Sequence, residues 1–209
     1  MPRDSDIQVV VLRCGRTEWD DAERLQGRTD LPLSESGQQA VAAEILDLAQ
    51  SRGANPFAAI YCSPDEASIK TAEMLGEAAG GKVRPDDELA GVDLGVWEGL
   101  LESQLMERFP KAYRPWKEDP ASVIPPGGES LQEADMRLRQ ALCRLLEKTN
   151  GKPVALVLRP INFALACVWL GSKGTEDIWR LLDDGPHVQR LAVPRTLLRT
   201  TREELKAGA

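Results

Sequence analysis

Groups capable of chemistry sit where apolar runs stop. Val9-Val10-Val11-Leu12 ends in Arg13-Cys14-Gly15-Arg16, Phe57 to Tyr61 ends in Cys62-Ser63-Pro64, and Val154 to Leu158 ends in Arg159-Pro160. Short apolar runs of this kind read as buried strands, and in an open α/β sheet ligands bind at the carboxyl ends of the strands. A thiol is a nucleophile only as its thiolate, and Arg13, Arg16 and Arg159 beside Cys14 would lower its pKa. The same cations could form a bidentate clamp for a phosphate-like or carboxylate anion, with Ser63 as a further donor. The opposing reading pairs Arg159 with Glu18, Asp20 or Asp93 and fills the site with a salt bridge. The residues alone leave both open.

Cys14, Cys62, Cys143 and Cys167 form no CxxC pair, so neither a zinc ribbon nor a disulfide framework is indicated. Cys14 and Cys62 could approach one another, but no further metal ligands accompany them, and no metal or cofactor is expected. The single histidine, His187, follows Asp183-Asp184-Gly185-Pro186 and reads as a surface turn residue.

The elements that must position these groups follow from periodicity. Ser34 or Ser36 caps a helix to about Arg52, and Ser63-Pro64-Asp65-Glu66 reads as a capping box opening a helix to about Ala79. Gly80 to Gly127 is rich in proline, tryptophan and charge. It reads as an inserted lid at about 80–128, with one short helix near Leu101 to Phe109. Trp97, Trp116 and Trp169 read as packing or lid residues, and Asp86-Asp87-Glu88 as a solvated face. Ser130 caps a helix to about Lys148; another follows Arg159-Pro160, through Phe163 to Leu170, and Thr175 caps a further one. Val188 to Val193 and Thr196 to Thr200 read as closing strands, with a frayed tail from Glu203. Strands alternating with helices predict a three-layer α/β/α sandwich with a mostly parallel central sheet, in one domain spanning 1–209.

Composition narrows the function classes. The 209 residues carry a formal charge of −7, which argues against general nucleic-acid binding. No apolar run approaches a membrane span and the amino terminus is polar, so no membrane association and a cytoplasmic location are expected.

Together with Leu25-Gln26-Gly27-Arg28-Thr29-Asp30-Leu31-Pro32-Leu33-Ser34, Gly95-Val96-Trp97-Glu98-Gly99 and Pro126-Gly127-Gly128-Glu129-Ser130, the strand ends closely resemble the histidine phosphatase superfamily, the phosphoglycerate mutase-like fold. The resemblance runs from about Val9 to Leu198. It implies a histidine nucleophile in an Arg-His-Gly motif, a second histidine in a His-Gly motif, two phosphate-holding arginines and an acidic proton donor. Arg13 matches the first arginine. Cys14 stands at the nucleophile position, Ala67 at the second arginine, Gly91 at the acid and Arg159 at the second histidine, and Arg16 replaces a usual acidic residue. A reaction that needs two histidines faces a chain with one.

Three functions remain in view. The first is a catalytically inactive, pseudo-phosphatase member that binds an anionic metabolite or a protein partner. The second is a thiol-dependent or redox enzyme using Cys14, and the third a structural, homodimeric interaction domain. Fold membership does not supply missing groups.

Overall fold

The computed structural model describes residues 6–52, 55–118, 123–149, 152–171, 177–183 and 185–207. In chain order the elements are β1 (Ile7–Arg13), α1 (Glu18–Asp21), α2 (Glu35–Arg52), β2 (Ile60–Cys62), α3 (Glu66–Ala79), β3 (Val83–Pro85), α4 (Glu102–Arg108), α5 (Pro110–Glu118), α6 (Leu131–Leu146), β4 (Val154–Leu158), α7 (Pro160–Leu170), α8 (Asp177–Asp183), β5 (Val188–Val193) and α9 (Arg195–Ala207).

The sheet order is β3-β2-β4-β1-β5, parallel except for β5, which runs antiparallel to β1. Alternation along the strands sends the side chains to two layers. Val9, Val11, Leu156 and Leu158 pack with Leu138 and Leu142 of α6, Phe163 of α7 and Leu198 of α9. Val10, Leu12, Ala155 and Val157 face the other way, onto Val41 and Ile45 of α2 and Ala72 and Leu75 of α3. This is the predicted three-layer arrangement. β4 is buried along its whole length because both faces are covered and it lies between β1 and β2. A third cluster sits over the strand ends, where Trp97 meets Trp116 edge-on at 5.5 Å and Trp116 meets Trp179 at 5.6 Å.

Several expectations are corrected. Thr196 to Thr200 is not a strand: after Pro194 the chain turns into α9, whose Leu198 and Thr201 are buried at helical spacing, and the supposedly frayed tail continues that helix to Ala207. The α3 cap is Asp65, not Ser63. Ser63 N still donates to Val157 O in the sheet ladder (3.1 Å), so the helix starts only where Asp65 Oδ1 accepts from Ser68 N (3.0 Å). β3 was not foreseen, and its pairing with β2 makes the start of the 80–128 segment part of the sheet. α5 was hidden by its prolines. Pro110 occupies the first helical position, where no N–H is needed, and burial of Trp116 offsets the cost of the internal Pro115. Asp86 does not belong to a solvated face, since it caps Glu88 N and takes a two-pronged hydrogen bond from Arg144 (2.9 and 3.0 Å). The proposed Thr175 cap lies outside the described residues.

Leu156 is fully buried at the centre of the sheet. Leu156→Ala is expected to lower the unfolding free energy by about 2–5 kcal/mol, read as a shift of the urea midpoint without a change in helix content.

Candidate functional site

The three parallel strand ends do meet. Cys14 N donates to Leu158 O (2.9 Å), which seats the sulfur beside the end of β4. Gly15 follows because a Cβ there would press on Leu33 Cδ2 at 2.7 Å. Its N–H donates to Thr71 Oγ1 (3.0 Å), and the Thr71 hydroxyl donates to Ala67 O (2.8 Å), joining the β1 turn to α3.

Arg159 leaves β4 in extended geometry, with Pro160 starting α7. Its side chain turns back across the strand ends. Nη1 lies 3.4 Å from Cys14 Sγ and Nη2 lies 3.3 Å from Asp20 Oδ1, with only 3% of the arginine side chain exposed. Asp20 is held for this contact by the capping box of α1, where its Oδ2 accepts from Thr17 N (2.8 Å) and Thr17 Oγ1 (3.1 Å). Burial works against the Arg159 charge, but the contact with Cys14 Sγ and the carboxylates of Asp20 and Asp65 outweigh it and hold the guanidinium protonated.

The thiol does not follow the reading in which its neighbouring cations make it acidic. Burial pushes Cys14 up from its ordinary pKa. Arg159 and Ser68 pull it down, Asp65 and Asp20 raise it again, and the net direction is up. A guanidinium already paired with a carboxylate in a dry setting does not make the thiolate favourable. Cys62 is likewise pushed up to about 12, chiefly by burial. All four cysteines are free, and no metal-holding cluster occurs among the described residues.

The expected ligand set therefore divides. Ser63 and Arg159 are buried inside, and the Ser63 hydroxyl finds no partner among the described residues. Arg16 turns outward, where its Nε pairs with Asp21 (3.0 Å) and Nη2 donates to Asp20 O (3.0 Å), so it does not join Arg159 in a clamp. Arg13 is half-buried and Nη1 donates to Leu182 O (3.1 Å). Arg13 and Arg16 instead line an open cavity of about 550 Å³ beside the strand ends, with Cys14 at its boundary. Asp20, Glu23, Arg24, Glu44 and His187 complete its charged lining.

Ala67 is fully buried in the first turn of α3. At Gly91 a Cβ would run into the Gly27 carbonyl oxygen and reach 3.5 Å from Arg159 Cγ, so no acidic side chain fits. This backbone-to-backbone contact belongs to a lock on the covering loops. Glu98 accepts from Arg28 N (2.8 Å) and Thr29 N (2.9 Å), and Arg28 reaches Glu129 (3.1 Å). Arg137 of α6 binds Glu129 (2.7 Å) and the Ala90 carbonyl (3.0 Å).

Sequence reasoning missed Glu23, Arg24, Glu44 and the cavity-facing position of His187. His187 Nδ1 meets Glu44 Oε1 at 2.7 Å across 143 residues, a pairing with no local signal. The covering Glu98 and Glu129 lie in quoted motifs but had no assigned role.

The model of the histidine phosphatase superfamily (branch 1) matches residues 9–191. A phosphoserine phosphatase 1 of Hydrogenobacter thermophilus is 30% identical over 166 residues, covering 79% of this chain and 77% of its own. A bifunctional protein of Mycobacterium tuberculosis is 34% identical over 165 residues, or 78% of this chain. The match spans only 44% of that relative's length. Among solved structures, a mycobacterial glucosyl-3-phosphoglycerate phosphatase in complex with VO3 superposes with a TM-score of 0.71 at 30% identity, covering 82% of this chain and 85% of its own. No helix among the described residues is long and apolar enough to cross a membrane.

Two outcomes follow. Arg159→Ala strands the mostly buried Asp20 carboxylate and is expected to cost about 3–5 kcal/mol in urea unfolding, whereas Arg16→Ala changes stability by less than about 1 kcal/mol. Cys14 and Cys62 ionise at higher pH in the native than in the unfolded protein. The native state thus holds more protons above about pH 8.5, and their contribution, complete below that value, is lost as pH rises further. The urea midpoint should fall between pH 8 and 10.5, and fall less in Cys62→Ala.

Proposed function

The chain belongs to the histidine phosphatase superfamily (branch 1), and from that premise we propose that it is a non-catalytic member whose strand-end site is occupied by its own side chains. One observation carries the reading. The groups at the two histidine positions, Cys14 and Arg159, touch each other, and Arg159 is simultaneously paired with Asp20. The volume in which a phosphoryl group would be transferred is bridged by an ion pair instead.

The chemistry agrees. Phosphoryl transfer through an enzyme nucleophile needs a reactive group, stabilisation of developing charge and a proton donor within reach. Cys14 is a protonated thiol and the Arg159 charge is matched by Asp20. Gly91 has neither a side chain nor room for one. The sole histidine, His187, is engaged with Glu44. The relatives carry phosphatase names, so the departure lies in this chain's residues rather than in its fold.

A thiol-dependent activity is disfavoured by the same burial that raises the Cys14 pKa. What stays open is the neighbouring cavity, where Arg13 presents a guanidinium with no carboxylate at ion-pair distance among the described residues. The protein acts by binding a small anion-bearing metabolite there.

Incubation with p-nitrophenyl phosphate, phosphoserine and 3-phosphoglycerate is expected to release no phosphate above the rate of a Cys14→Ala/Arg159→Met control, and to leave no phosphorylated protein by intact mass. Turnover that is abolished in the control would overturn the reading.

A further inference from the structure

The open cavity is charged on both sides, and its pairings separate the charges matched within the protein from Arg13, which is half-buried, and from Glu23 and Arg24, which are exposed to water. Asp20 is matched by Arg159, Arg16 by Asp21, and Glu44 by His187. Three lining residues are left without an opposite charge at ion-pair distance among the described residues: Arg13, Arg24 and Glu23. Among the described residues, Arg13 donates to the Leu182 carbonyl (3.1 Å) and Arg24 to the Gly99 carbonyl (2.7 Å).

Arg13 is the more demanding of the two cations. A planar guanidinium offers five N–H donors, and a half-buried one with a single neutral acceptor is under-compensated. Burial pulls its pKa down; Cys14 and Asp20 oppose this, while Arg159 and Arg16 add to it. Its fork suits a carboxylate or phosphate presented from the cavity.

Glu23 supplies the second requirement. It follows the short α1 with φ of 55°, the left-handed region, and is the sole non-glycine residue there among the described residues. That position after a helix normally takes glycine or asparagine, because a side chain costs energy in this conformation. The strained residue is an acid, and it lines a cavity whose other two unmatched groups are cationic. Strain that persists at a cavity-lining position is a pointer to function.

We infer that the cavity beside the strand ends takes a small zwitterion, an amino acid or close relative, with its acid group on Arg13 and its ammonium on Glu23. Arg24, adjacent to Glu23, adds selectivity for a ligand with a second anionic group. A volume of about 550 Å³ lies within the range of small-molecule sites. This deepens the anion-binding reading above and rests on it: there any anion would serve, whereas here the ammonium is required.

The test compares the L-amino acids with their des-amino carboxylates as matched pairs, such as glutamate with glutarate and aspartate with succinate. Thermal shift and calorimetry use the intact chain. At least one amino acid is expected to bind about fivefold or more tightly than its des-amino partner, a preference lost in Glu23→Gln. Glu23→Gly, which relieves the strained backbone, is expected to raise the melting temperature by a few degrees, about what removing such strain provides, while losing the same preference. Arg13→Met is expected to abolish binding of both members of a pair. Equal affinity within every pair, no binding by any amino acid, or a preference that survives both Glu23 variants would overturn the inference. None of these results would restore catalysis, so the non-catalytic reading falls only to phosphate release in its own assay.

Discussion

The contact on which the site depends is the ion pair between Arg159 and Asp20, closed against Cys14. It joins the end of β4 to the loop helix after β1, two places brought side by side only by the parallel pairing of those strands. Both charges are largely withdrawn from water, at 3% and 15% side-chain exposure. Taking charges out of water costs several kcal/mol per ion, so a pair of this kind is held mainly by the geometry that enforces it. Here the enforcement is visible: Asp20 is fixed by the Thr17 cap, and Arg159 by its place between a strand and a proline-started helix.

The covering loops reinforce the closure. Gly27 and Gly91 let two backbones touch directly above the strand ends, and the Glu98 and Arg137 networks hold those loops from both sides. The aromatic cluster of Trp97, Trp116 and Trp179 then packs over the top. On the reading proposed above, a site that in relatives bears names of phosphoester chemistry is filled here by residues of ordinary kinds in ordinary pairings. The open volume reaches from Cys14 and Asp20 to Glu44 of α2 and His187.

Much of this was legible in the sequence. The four apolar residues before Arg13 and the run before Arg159 were recognisable as buried strands, and their convergence followed from parallel topology. The Arg159–Asp20 pair stood among the alternatives because acids near a buried arginine are natural partners. Three things were illegible. An acidic Cys14 thiol stood as one alternative because nearby cations can be counted in a sequence, whereas the desolvation that reverses their effect depends on packing. α9 was read as a strand because Thr and Leu have mixed preferences and its buried face appears only against α6 and α7. The unmatched charges of Arg13 and Glu23 emerge only after every other pairing has been assigned in three dimensions.

The central claim is that Arg159 and Cys14 close the site from within. Determining a crystal structure of the protein soaked in vanadate, the phosphate mimic held by the mycobacterial relative, tests it directly. The account predicts an intact Arg159–Asp20 pair and no vanadium within bonding distance of Cys14 Sγ; vanadate bonded to that sulfur, with Arg159 turned from Asp20 onto its oxygens, would contradict it.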